Sequence, residues 1–266
     1  MLKQRIITAL VLVSFVFAAL LASQAVYWQI LINVVIAVGF WEWLRFAKIS
    51  SIPLQLFLYS VFFAICAVLQ LAYLPMPMLV MASCALWLAL IVFTLTEQLD
   101  VLHHPFLKVI IGIAVLSISG LIVIELKSLP HGPAWVLCFL VSVWAADVGA
   151  YFVGRRFGKT KLAPKVSPGK TVEGLLGGVA FALLIFVPIL LNVFEGVDAL
   201  RMLVIIVTTV LVSVMGDLFE SKLKRHADLK DSSQVLPGHG GVLDRVDSLL
   251  SGAPFFALGL IWLGYW

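Results

Sequence analysis

Residues 6–41 form a run of 36 positions without one charged side chain, and residues 49–96 form a second run of 48. Inside a bilayer no water pairs with backbone N–H and C=O groups, so such runs must coil into helices that satisfy themselves. At 1.5 Å per residue the first run makes about 54 Å of helix against a hydrocarbon core of about 30 Å, so one crossing is too few. Two fit, turning near Gln24 to Gln29. The second run breaks at Pro75-Met76-Pro77, because proline lacks the N–H that a helix interior needs, and it yields two more crossings. Lys3 and Arg5 ahead of an apolar stretch look like a secretory leader, yet the stretch far exceeds a leader's apolar core of about 7–15 residues. It reads as a retained anchor.

Further apolar runs at 109–124, 133–153, 175–194, 202–216 and 248–266 bring the expected total to nine helices of an all-α, polytopic membrane protein. Composition agrees: 62% of residues are hydrophobic and 12% charged, against roughly a quarter charged in a soluble domain. With the amino end cytoplasmic, nine alternating crossings place sixteen of the eighteen Lys and Arg residues on the cytoplasmic side, leaving only Lys127 and Arg201 outside. The carboxyl end then lies outside. In such a chain the net charge of +4 speaks of topology and not of a nucleic-acid partner. Residues 1–130 read as an amino-terminal region of about five helices with almost no polar chemistry. Residues 131–266 carry two cytoplasmic loops, 154–174 and 219–247, where function is sought. Cys66, Cys84 and Cys138 lie in apolar runs without metal spacing and read as small buried hydrophobes.

Asp147 interrupts an apolar helix. Either it is solvated near the end of its span, or it lines a cavity or meets a cation. The following loop is rich in Lys, with Gly154, Gly158, Pro164, Pro168 and Gly169 as backbone-shaping residues. Its GRRFGKT stretch is not a Walker loop: it is one residue short and follows a membrane helix instead of a strand. The lysines either hold phosphates or meet anionic lipid heads. Gly216-Asp217 closes the eighth span. Asp244 and Asp247, three apart at the start of the ninth helix, share a face. With Asp217 they offer oxygen ligands for Mg²⁺ beside Lys224, Arg225 and Lys230, or else an ion-paired surface. Pro237-Gly238-His239-Gly240-Gly241 suits a close approach of some group to the backbone. His239 is a base, a metal ligand or a loop-orienting donor. His103 and His104 read as solvated.

These residues form a longer pattern. Ser221-x-Leu223-Lys224-Arg225-x4-Lys230-Asp231-x-Ser233-x2-Leu236-Pro237-x-His239-Gly240-Gly241-Val242-x-Asp244-Arg245-Val246-Asp247 resembles the signature of the bacterial phosphatidate cytidylyltransferases (CDP-diacylglycerol synthases), matched over 27 residues without a gap. Residues 147–174, with Lys165-Val166-Ser167-Pro168-Gly169-Lys170-Thr171, are similar to that family's second block. The resemblance implies that a phosphate oxygen of phosphatidate attacks the α-phosphorus of CTP, giving CDP-diacylglycerol and pyrophosphate. It implies Mg²⁺ on Asp217 and Asp244, with Asp247 as a further ligand and Asp147 supporting the site or binding a second cation such as K⁺. Lys224, Arg225, Lys230 and Arg245 would face phosphates. Lys165, Ser167 and Lys170 would complete the CTP site, with His239, Gly240 and Gly241 beside it. It further implies a homodimer in the bacterial inner membrane, with a periplasmic carboxyl end and a site facing the cytoplasm. A polyprenol kinase would lack the HGG-x2-DR-x-D pattern, and a transporter would carry paired broken helices.

Overall fold

The computed structural model describes residues 2–72, 74–96, 104–193 and 196–266, and within them the chain is helical apart from one hairpin and its loops. In order it forms α1 (Leu2–Leu21), α2 (Ala25–Phe46), α3 (Ile52–Leu71), α4 (Met76–Leu95), α5 (Pro105–Ser128), α6 (Gly132–Phe157), β1 (Lys161–Ala163), β2 (Ser167–Thr171), α7 (Val172–Val193), α8 (Ala199–His226) and α9 (Leu243–Trp262). Proline falls in the first turn of α3, α4, α5 and α6, where its missing N–H has no helical partner to lose. Seven helices, α2 to α8, are long and apolar enough to cross a membrane. Of the two others expected to cross, α1 contributes a shorter apolar stretch, Ile6–Leu21, and α9 opens on Asp244, Arg245 and Asp247.

Three boundaries differ from expectation. The first turn falls at Ala22, Ser23 and Gln24, slightly before the expected bend. α8 does not close at Asp217: it runs on to His226, so Asp217, Lys224 and Arg225 are helical. The second loop thus shrinks to residues 227–242. The first shrinks to residues 158–171 and is a hairpin, with Lys161 opposite Thr171 and Ala163 opposite Ser167. Pro164 does sit in its turn, closed by Val166 N–H donating to the Ala163 carbonyl, whereas Pro168 and Gly169 lie within β2.

Two apolar cores hold the bundle. One gathers Trp135, Phe139 and Phe186 around Phe256 of α9. The other stacks Phe40 on Phe62 at 4.4 Å and sets Trp43 and Trp87 against Phe219 of α8. Both draw on residues from either side of position 130, so α8 and α9 are wedged among the amino-terminal helices. Cys66, Cys84 and Cys138 are buried free thiols, as read. Between α6 and α7 the contact is nearly backbone to backbone. A β-carbon on Gly178 would stand 2.7 Å from the Ala146 carbonyl, and one on Gly177 would collide with Val153. Gly149 and Gly154 belong to this seam.

Polar contacts gather at one end of the bundle. Lys108 Nζ donates to the Phe46 carbonyl at the close of α2 (3.0 Å), and Lys222 Nζ to the Thr94 carbonyl at the close of α4 (2.8 Å). Thr8 of α1 donates to the Pro237 carbonyl at 3.1 Å. At the far end Lys127 Nζ donates to the Ala19 and Ala22 carbonyls that close α1. Each lysine meets the negative end of a neighbouring helix, where a cation is favoured.

Candidate active site

A cavity of about 870 Å³ opens at the polar end, between α6, the hairpin, α7, α8 and the start of α9. The helical repeat places Asp217, Glu220 and Lys224 along adjoining turns of α8, and the hairpin brings Lys170 across to them. Lys170 Nζ pairs with Asp217 Oδ2 at 2.6 Å. Lys224 Nζ lies 2.6 Å from Asp244 Oδ1 and 3.1 Å from Glu220 Oε1, with side-chain exposures of only 10%, 7% and 4%. Asp147 is open to the cavity, and Ser167, Arg245 and buried Asp247 also line it. Eight of the residues singled out in the sequence therefore share one hollow: Asp147, Ser167, Lys170, Asp217, Lys224, Asp244, Arg245 and Asp247. Val143, Trp144, Leu175, Val214 and Leu249 add apolar lining, and Tyr151, Arg155, Thr171, Asp231 and Ser248 add further polar lining.

The other expected site residues lie elsewhere. Lys230, His239 and Gly240 line an adjoining hollow of about 740 Å³, whose border with the first is Asp231 and Arg245. Arg225 is exposed and donates to the Leu229 carbonyl at 3.4 Å, closing the end of α8. Lys165 sits exposed in the hairpin turn, outside the residues lining the cavity. His104 is exposed at the start of α5, as expected; His103 lies outside the described residues.

The glycine-rich segment has an internal explanation. Leu236-Pro237-Gly238-His239 is a β-turn with proline second and Gly238 third at φ +77°, closed by His239 N–H donating to the Leu236 carbonyl at 2.9 Å. Gly240 has φ +83°, and a β-carbon there would approach Asp244 Oδ2 to 2.7 Å. One on Gly241 would collide with Ser232 and Glu42. What approaches this backbone closely is thus the protein's own carboxylates. His239 orients the loop through its main chain: its carbonyl accepts from Arg245 Nε at 3.1 Å, while its ring Nδ1 is buried without a partner among the described residues.

Among the described residues no three Asp, Glu, His or Cys side chains converge tightly enough to enclose a metal. Mg²⁺ commonly takes one or two carboxylates and completes its shell with water and substrate phosphates, and Asp147, Asp217 and Asp247 fit that pattern. Asp244 fits less well than expected. Oδ1 holds Lys224, and Oδ2 accepts from Ser232 N–H (2.9 Å), the Ser232 hydroxyl (3.0 Å) and Gly241 N–H (2.8 Å).

Comparison with known proteins identifies the family. The model of the cytidylyltransferase family matches residues 3–262. The chain belongs to that family. It is 38% identical over 282 residues to a phosphatidate cytidylyltransferase of Haemophilus influenzae, covering 97% of this chain and 98% of the relative. It is 40% identical over 276 residues to one of Pseudomonas aeruginosa, covering 100% and 99%. The resemblance read from the carboxyl half therefore extends over the whole cytidylyltransferase chain.

Sequence reasoning missed several residues in and around this nucleotidyltransferase's cavity. Asp231 stands in the signature and Glu220 immediately before it, but neither drew a role. Glu42 and Arg45 of α2 contradict the reading of the first five helices as chemically silent: Glu42 accepts four hydrogen bonds from residues 232–243, and Arg45 donates to the Ser232 carbonyl. The available signal was an acidic residue at the end of an otherwise uncharged 36-residue run. Nearby, exposed Lys48 donates to Asp228 at 2.8 Å, and that hydrogen bond holds the Asp228 carboxyl below its usual range.

Proposed function

We propose that this protein transfers the cytidylyl group of CTP to phosphatidate, forming CDP-diacylglycerol and releasing pyrophosphate. The carrying observation is a cavity in which basic side chains and carboxylates stand beside apolar ones at one end of a membrane bundle, in a chain alike along its whole length to phosphatidate cytidylyltransferases. The phosphatidate phosphate, with a second pKa near 6, is already largely dianionic at neutral pH, so the reaction asks for no strong base. Its barrier is the approach of one polyanion to another, which fixed positive charge lowers.

Lys170, Lys224 and Arg155 are cations of the first cavity's lining, and Arg245 stands where the two hollows meet. Lys230 faces the adjoining hollow, where it would meet a pyrophosphate that leaves by that side. Mg²⁺, held by Asp217 with Asp147 or Asp247, would neutralise phosphate oxygens of the nucleotide. Asp217 holds Lys170 in place through the 2.6 Å pair, and Asp244 holds Lys224. The apolar lining lets acyl chains remain in lipid while the head group enters. We further assign the polar end to the cytoplasm, which the Lys and Arg distribution supports, and expect a homodimer on the family resemblance alone.

The test uses purified protein in detergent with phosphatidate, Mg²⁺ and CTP radiolabelled at its α-phosphate. Label should pass into a lipid-soluble product, and Asp217→Asn should lower that transfer at least 100-fold, the scale on which a fixed electrostatic contact acts. Folded wild-type protein that leaves all label in water would overturn the assignment.

A further inference from the structure

We infer that Glu42, on the second helix and outside the carboxyl-terminal signature, is a positioning residue that sets the geometry of the Asp244–Lys224 wall. Its carboxylate is fully buried. Four donors surround it. Val242 N–H (2.9 Å) and the Ser233 hydroxyl point to Oε1; Leu243 N–H (2.6 Å) and the Ser232 hydroxyl (3.0 Å) point to Oε2. Two of these are orphan amides at the amino end of α9, where the helix dipole favours an anion. Val242 has no side chain able to cap that end, so the acceptor comes from another helix, 200 residues away in sequence.

The link to the cavity is Ser232. Its hydroxyl lies 3.0 Å from both Glu42 Oε2 and Asp244 Oδ2, yet it has one proton to give. Its carbonyl is held by Arg45, one turn beyond Glu42. Gly241 lacks a side chain at the point where one would strike both Ser232 and Glu42. Moving Glu42 therefore moves the segment that donates two backbone N–H groups to Asp244 and shares the Ser232 hydroxyl with it, and Asp244 in turn fixes Lys224. Glu42 touches no lining atom of the cavity and acts through these groups.

The activity arm of the test rests on the proposed cytidylyl transfer; the spectroscopic arm does not. Glu42→Gln places an NH₂ against N–H and O–H donors. We expect kcat to fall about 100-fold, the scale of a misplaced reacting group, while KM for CTP changes less than about threefold. Glu42→Asp keeps the charge and should recover part of the loss. For the second arm a nitroxide is attached at Gln234→Cys, an exposed loop position; the three native thiols are buried. Its spectrum should gain a mobile component in Glu42→Gln and none in Lys48→Met, which removes only an exposed ion pair on the same loop. If Glu42→Gln fails to fold, Ser232→Ala, which removes the shared hydroxyl alone, should show the same kcat loss and the same mobility. Unchanged kcat with an unchanged spectrum in the variant that folds overturns the inference. An inactive wild type would strike the transferase reading, and label mobility would still decide the role of Glu42.

Discussion

Lys224 shows how closely one side chain can tie a site to its scaffold. It stands between Glu220 and Asp244 with almost no solvent, so its removal leaves two carboxylates facing each other in a confined space. Breaking such a buried pair from one side typically costs about 3–5 kcal/mol. Lys224→Met should therefore lower the thermal unfolding midpoint in detergent as well as abolish transfer; an unchanged midpoint would mean the charges are solvated. Lys224 and Asp244 were legible because they occupy fixed spacings in a dense polar segment. Glu42 was not, because a single acid at the end of an apolar run has the same appearance whether it meets water or caps a helix distant in sequence. Asp244 was read for its charge, and the structure adds that both its oxygens are engaged.

At the scale of elements, the α6–α7 seam sets the cavity wall. Gly177 faces Val153 with no space for a methyl group, so Gly177→Ala should destabilise by about 1–3 kcal/mol and weaken transfer together, measured by unfolding midpoint and labelled lipid. Loss of activity at full stability would instead place Gly177 in contact with substrate. The helices themselves were readable from uncharged runs and prolines. The end of α8 was not: the reading stopped at the first charge, Asp217, because charges in a membrane chain suggest water. Here the charges continue the helix because each finds a partner. Lys170 meets Asp217, Lys224 meets Glu220, and Lys222 caps α4. The hairpin was equally hidden, since three to five residues rich in Lys, Pro and Gly carry no strand pattern of their own.

Over the whole molecule, chemistry and charge collect at one end of the bundle. A cysteine at exposed Gln234 should react with an impermeant maleimide only when the reagent reaches the cytoplasmic face of inverted vesicles; labelling from the opposite face would reverse the assigned orientation. The lysine caps add a consequence for how such a chain reaches its final form. Lys108 of α5 and Lys222 of α8 stand at the end assigned to the cytoplasm, where positive charge is retained during insertion, and Lys127 at the opposite end of α5; each binds the carbonyl end of a different helix. A helix threaded backwards would leave its lysine and the waiting carbonyls on opposite sides of the lipid. Tertiary assembly thereby proofreads insertion for the helices these lysines join: α5 closes on α1 and α2, and α8 on α4, only when those crossings run in the right direction.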